Sequence, residues 1–378
     1  MARTLVLVLL VAFAASCSNP VRIGAVVSRT GAAAGYGERV TRGFDLAVDE
    51  INGAGGVRGR GIALSYRDDA TNPDVGLAAA RDLVDRDRVP VVLGAVSSLV
   101  TLRLADYCEQ RRIVLVSPSA SAPQLTEAGE FVFRTYPSDV LEASAMAEFS
   151  RDLGLDRVAV LFVDNDYGRS LTEVLESRFA AAGGSSAGRF PFVEGSEASL
   201  GRAVSALLAA KPRGLYAPSY TADLATALLM LRRAGARPIV MGASSIADEI
   251  TRLARPAAED LVVPRPSFSP EDDDPAVRAF VSRYRQAYGE SPDVYAAHAY
   301  DTVKLLAVAA DRAGTWEADA LRKSLLAVDN FEGVTGRMAF DPKGDVIQYP
   351  RLWLVRGGEF VPYDRYLENG GALSLPGR

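Results

Sequence analysis

The chain has 378 residues, 48% of them hydrophobic and 24% charged, with 42 basic against 47 acidic side chains and a formal charge of −5. That length is more than one hydrophobic core ordinarily serves, so two domains are expected. The composition excludes a disordered chain, and the lack of a basic cluster with interleaved aromatics argues against nucleic acid as a partner.

The N-terminus carries one Arg, an apolar run from Leu5 to Phe13, and small residues ahead of Cys17. This is the pattern of a secretory signal, with residues 1–16 removed. The run is too short to cross a bilayer, and no later stretch approaches the roughly 20 apolar residues a membrane helix needs. VRIGAVV (21–27) then reads as a buried strand. From Glu38 to Asn52, apolar Val40, Phe44, Ala47, Val48 and Ile51 recur at helical spacing and Gly53 follows as a stop. Strand IALSYRDD, a helix around Asp74–Asp87, strand VPVVLGA, a helix through LADYCEQ and strand IVLVSP come next. After FVFRTYP the alternation restarts. It gives helix Asp139–Leu153, strand RVAVLFVD, helix Arg169–Ala182, a strand near Arg189–Val193, and then a helix, strand GLYAPSY, a helix and strand PIVMGA. Such alternation specifies α/β architecture with parallel sheets covered by helices on both faces, here in two doubly wound lobes.

Two loops stand out between Gly94 and Thr126. Each follows a strand end with small residues, hydroxyls and free backbone N–H groups: Ser97-Ser98 ahead of one helix, and Ser-Pro-Ser-Ala-Ser-Ala-Pro (117–123) after the next strand. Ligands of open α/β sheets sit outside the carboxyl ends of strands, and helix N-termini there favour an anion. The pair suggests a carboxylate shelf. Ser98 either caps its helix or turns its hydroxyl to a ligand, with Ser97 the other candidate cap. Asp139 is equally a helix cap or an acceptor for a ligand cation. Catalysis finds little support. His298 is the single histidine and sits in an Ala-rich helical pattern. Gly184-Ser185-Ser186-Ala187-Gly188 follows a helix end and lacks the strand-to-helix context of a nucleophile elbow. No phosphate-binding fingerprint and no His/Cys cluster for a metal occur, so neither cofactor nor metal is expected. Glu271-Asp272-Asp273-Asp274 reads as loop and helix N-terminal charge.

The segments VRIGAVVSRTGAAAGYGERVTRGFDLAVDEINGAGG, GAVSSLVTLRLADYCEQRRIVLVSPSASAP, FRTYPSD, RVAVLFVDNDYG, YAAHAYDTVKLLA and FDPKGD resemble, in order, the leucine/isoleucine/valine-binding protein family. These are type 1 periplasmic binding proteins that serve bacterial ABC importers. The resemblance implies three crossings between lobes, near Pro137-Ser138, near Pro264-Arg265-Pro266 and near Val334–Gly336. Lobe 1 is then 21–137 with 265–333, and lobe 2 is 138–264 with 334–364; 365–378 is a loosely ordered tail. It places the ligand's carboxylate and amine on Ser98, Ala120 and Ser121, its ammonium on Asp139, and its side chain among Tyr36, Tyr167 and Tyr220, while Tyr295 and Tyr300, at helical spacing in YAAHAYD, read as core. Ser244 stands where amino-acid-binding members carry Glu or Asp, which leaves Asp139 as the acid placed in the cleft. Ala14-Ala15-Ser16-Cys17 resembles a lipobox, so Cys17 is expected to be acylated, with 17–20 a short tether. Cys108 then lacks a partner and reads as a buried hydrophobe. The implied protein is an exported, lipid-anchored monomer that delivers a small ligand, a neutral or branched-chain amino acid, to an ABC permease. A ligand-sensing receptor of the same fold, or a binder of an amide, a urea-like compound or a non-amino carboxylate, stands as the alternative.

Overall fold

The computed structural model describes residues 19–373; the expected signal, Cys17 and residues 374–378 lie outside them. The chain opens with β1 (Val21–Val27), α1 (Ala34–Gly53), β2 (Ile62–Asp68), α2 (Pro73–Arg81), β3 (Val91–Gly94), α3 (Ser98–Arg111), β4 (Val114–Ser117) and β5 (Val132–Arg134). These strands form a parallel sheet in the order β2-β1-β3-β4-β5. The second run is α4 (Asp139–Asp152), β6 (Arg157–Val163), α5 (Asp166–Ala181), β7 (Ser185–Phe192), α6 (Glu197–Ala210), β8 (Gly214–Ala217), α7 (Thr221–Arg233), β9 (Ile239–Gly242), α8 (Ile250–Leu253) and β10 (Val262–Arg265). Helices α9 (Pro275–Tyr288), α10 (Val294–Ala313) and α11 (Ala318–Leu326) return to the first core, followed by the ribbon β11 (Phe331–Gly333) and β12 (Gly336–Met338). The hairpin β13 (Arg351–Arg356) and β14 (Glu359–Pro362) then closes the second sheet, and α12 (Tyr363–Glu368) follows.

The second sheet reads β14-β13-β10-β9-β8-β6-β7. Without its antiparallel hairpin it repeats the first order, so both sheets reverse direction beside their first strand. Ligands bind at such reversals, outside the strand carboxyl ends. The strands are apolar because they are covered on both faces: β6 is buried from Val158 to Val163. On α1, buried Val40, Phe44, Ala47 and Ile51 form one stripe that shares a core with α10. Asp274 caps α9, accepting from the N–H groups of Ala276 and Val277 at 2.7 and 3.2 Å.

Several boundaries differ from the sequence expectation. The helix expected over Asp74–Asp87 is α2 plus a wider turn at Asp82–Arg86. Helix α5 begins at Asp166 because Asn165 caps it, accepting from Gly168 N–H at 3.0 Å. Strand β7 begins at Ser185, so the Gly-x-Ser-x-Gly match lies along a strand. The third crossing is displaced. Val334, Met338, Phe340 and Val346 are buried in the first core, and Asp345 pairs with Arg134 of β5 at 2.6 Å. The chain therefore passes to the second sheet between Val346 and Arg351, not near Val334–Gly336. The segment expected as a loose tail begins in α12, and Tyr366 and Leu373 pack against the second core. Cys108 is fully buried, and burial raises its thiol to about 12, as suits an inert core residue.

Candidate functional site

Loops leaving both sheets converge on one cleft. Ser97 is the α3 cap, accepting from Val100 N–H at 3.3 Å, which leaves Ser98 as the first helical residue. The Ser98 hydroxyl accepts the N–H groups of Ser121 and Ala122, both at 3.2 Å, and so clamps the two loops together. With its oxygen occupied, that hydroxyl has its proton left to donate. Ala120 is buried and gives its N–H to Ser117 Oγ at 3.0 Å, so its carbonyl is the backbone group it can offer. Beneath the loop, Arg134 donates to the Ala122 carbonyl at 2.7 Å.

Asp139 is not the α4 cap. Ser138 is, accepting from Val140 N–H at 3.3 Å. Asp139 is the first helical residue; its N–H donates to the Ser121 carbonyl at 3.0 Å and its carboxyl bonds the Ser121 side chain. Burial pushes that carboxyl above its ordinary range, against the Ser121 bond and the Arg134 charge. One turn on, Glu142 is 5% exposed and accepts Ser244 N–H at 3.0 Å. Burial first, then Asp139, drives the Glu142 carboxyl well up. This second buried acid beside Asp139 was not singled out in the sequence. It lies on α4, three residues after Asp139 and on the same helix face, and it reaches the backbone of the residue that lacks the expected acid.

The aromatic walls complete the site. Tyr167 and Tyr220 stack with centroids 5.8 Å apart and ring planes 14° apart. Tyr167 donates to Ser245 Oγ at 2.9 Å, which donates to the Ser219 carbonyl at 2.7 Å. Asn165 Nδ2 reaches Tyr220 Oη at 3.4 Å. Across the cleft, the exposed Tyr36 meets Tyr295 edge-on at 4.9 Å, and Tyr295 lies parallel to Tyr136 at 5.9 Å. Tyr295, expected in the core, is half-buried and belongs to this wall. Tyr300 is buried as expected and donates to Glu50 at 2.7 Å. His298 lies behind Tyr136, fully buried, with Nδ1 2.9 Å from the Thr135 carbonyl; burial holds it neutral, near 4. The tyrosines are aimed by glycines. A Cβ at Gly37 would sit 1.9 Å from the Ser28 carbonyl oxygen, and one at Gly168 would sit 2.1 Å from that of Val163. Only glycine lets the first turns of α1 and α5 lie that close to their strand ends, and each is preceded by a wall tyrosine.

The eight residues singled out in the sequence fall into separate groups: Ser98, Ser121 and Asp139 are joined by hydrogen bonds, Ser244 bonds Glu142, Tyr167 stacks on Tyr220, Tyr36 meets Tyr295, and Ala120 is held by Ser117. Among the described residues no cluster of three or more His, Cys, Asp or Glu fit for a metal occurs, and no helix is long and apolar enough to cross a membrane.

Residues 20–357 match the family described as periplasmic binding protein. The chain belongs to that family. A relative in Pseudomonas aeruginosa, the leucine-, isoleucine-, valine-, threonine- and alanine-binding protein, is 27% identical over 87% of this chain and 88% of its own. Among solved structures, an ABC transporter substrate-binding protein of Desulfitobacterium hafniense in complex with Leu is 29% identical, with a TM-score of 0.77, covering 91% of this chain and all of that one. The leucine-binding protein LivK of Thermotoga maritima is 25% identical, with a TM-score of 0.74 over 90% of this chain and 97% of its own. As a periplasmic binding protein, the chain has the type 1 architecture of two α/β lobes facing across a cleft, and its family serves ABC transporters.

Proposed function

We propose that this periplasmic binding protein captures a small neutral amino acid, branched-chain or similar, between its lobes and delivers it to an ABC permease. The observation that carries this reading is the chain Ser98–Ser121–Asp139. The Ser98 hydroxyl, whose proton is left to meet a carboxylate, is tied through Ser121 to a carboxyl suited to an ammonium. The tyrosine walls offer apolar faces for the side chain. The names of the relatives point the same way. An exported monomer held at the membrane by acyl chains on Cys17 completes the proposal; Cys17→Ser should then release it from membranes.

Calorimetry with leucine, isoleucine, valine, threonine and alanine tests the reading, with leucinamide and isocaproate as analogues lacking one charge each. Losing one hydrogen bond to a charged group costs about 1.5–3 kcal/mol, so each analogue should bind roughly tenfold to a hundredfold more weakly than leucine. Leucinamide or isocaproate binding as tightly as leucine would refute it.

A further inference from the structure

We infer that Glu142 is the second acid of the ligand site, replacing the side chain absent at residue 244, so that the site takes a carboxylate with a cationic nitrogen and sheds a proton on binding it. This rests on the amino-acid reading above and names how the cation is recognised. Glu142 Oε1 accepts Ser244 N–H at 3.0 Å, so its carboxyl occupies the neighbourhood of residue 244 from α4 instead of from the loop after β9. Beside it, the Tyr216 hydroxyl is fully buried without a hydrogen bond of good geometry. The buried hydroxyl and the buried carboxyl act on each other without a well-aligned bond, an incomplete arrangement that a ligand nitrogen entering between Asp139 and Glu142 lets reorganise.

The titratable groups that face Glu142 are Asp139 on its own helix, Tyr216 on β8, Tyr167 on α5 and Tyr136 before α4. None is a cation. Arg134, the basic group acting on Asp139, is paired with Asp345, and Arg265 on β10 is paired with Asp248. Two carboxyls sharing such a site cannot both ionise, so the empty cleft retains a proton on Glu142 at neutral pH. An arriving ammonium removes the reason for keeping it. The Glu142 O–H bond breaks, the proton passes to buffer, and a carboxylate faces the ligand nitrogen. Affinity then rises with pH above neutrality, up to tenfold per unit while one proton is released per ligand.

The probe is leucine, titrated calorimetrically at pH 7 in phosphate and in Tris and then across pH 6–9. The wild type should release protons, seen as a buffer-dependent heat, and bind more tightly at pH 8 than at pH 6. Glu142→Gln, which keeps size and the Ser244 contact, should release none and lose the pH dependence, with affinity at pH 8 reduced tenfold or more. Leucine bound by the wild type with no proton release, and equally well by Glu142→Gln, would overturn the role of Glu142 while leaving the amino-acid reading standing. No binding of any of the five amino acids by the wild type would overturn both.

Discussion

Asp345→Asn removes the counter-charge from the most enclosed cation of the described chain. The Arg134 side chain is 2% exposed. It donates from Nε to Asp345 Oδ1 at 2.7 Å, from Nη2 to Oδ2 at 2.6 Å and to Thr126 Oγ1 at 2.9 Å, and from Nη1 to the Ala122 carbonyl at 2.7 Å. The backbone is stitched alongside, with Arg134 N–H on the Gly344 carbonyl at 3.1 Å and Val346 N–H on the Arg134 carbonyl at 3.2 Å. Asparagine fills the same space but brings no charge and one acceptor oxygen fewer, leaving a desolvated guanidinium. Breaking a buried pair from one side costs about 3–5 kcal/mol, a large part of the roughly 5–15 kcal/mol that holds a protein folded. Urea unfolding followed by fluorescence can assign the loss, because Trp316 packs on the first core and Trp353 on the second. With Trp353→Phe as background, the midpoint reported by Trp316 should fall at unchanged slope. Lys343→Ala, which breaks the exposed pair with Glu127, is the control and should cost less than about 1 kcal/mol. An Asp345→Asn loss no larger than that control would refute the reasoning. Leucine affinity should fall as well, since Arg134 holds the loop that carries Ser121.

Two further outcomes are expected. His298 is neutral in the fold because burial lowers it from 6.5 to about 4, so the unfolded chain takes the proton first as pH falls. Its contribution is complete above pH 6.5 and is lost towards pH 4, amounting to at most about 3 kcal/mol. His298→Gln should lose less stability between pH 7 and pH 4.5 than the wild type does; identical losses in urea melts would refute this. Gly168→Ala forces a methyl against the Val163 carbonyl and should cost about 1–3 kcal/mol while weakening leucine binding through a displaced Tyr167. Unchanged melts and affinity would contradict the contact.

The lobed α/β plan was legible because parallel strands covered on both faces appear as short apolar runs, as in VAVLFV, separated by helix-period segments. Ser98, Ser121 and Asp139 could be singled out because each sits where a strand or crossing ends, and the structure joins the three by hydrogen bonds. Glu142 could not be singled out. Within EASAM it looks like any polar helical residue, and its meaning comes from Ser244, 102 residues away. The third crossing failed for the same reason. The Phe340–Asp345 turn belongs to the first lobe because Asp345 meets Arg134, 211 residues upstream, and a contact at that separation leaves no local trace. Tyr295 was misplaced because periodicity shows which face of α10 turns inward but does not separate a core from a cleft.

The Tyr-Gly pairs at the heads of α1 and α5 carry a mechanical implication. Each wall ring is set by how closely a helix start seats on its own strand end, a contact contained within one lobe. Each of these two aromatic faces is therefore set by the backbone of its own lobe. Such an arrangement works as a calliper. In the binding role proposed above, the bulk of a ligand held between these faces would set how far apart they stand.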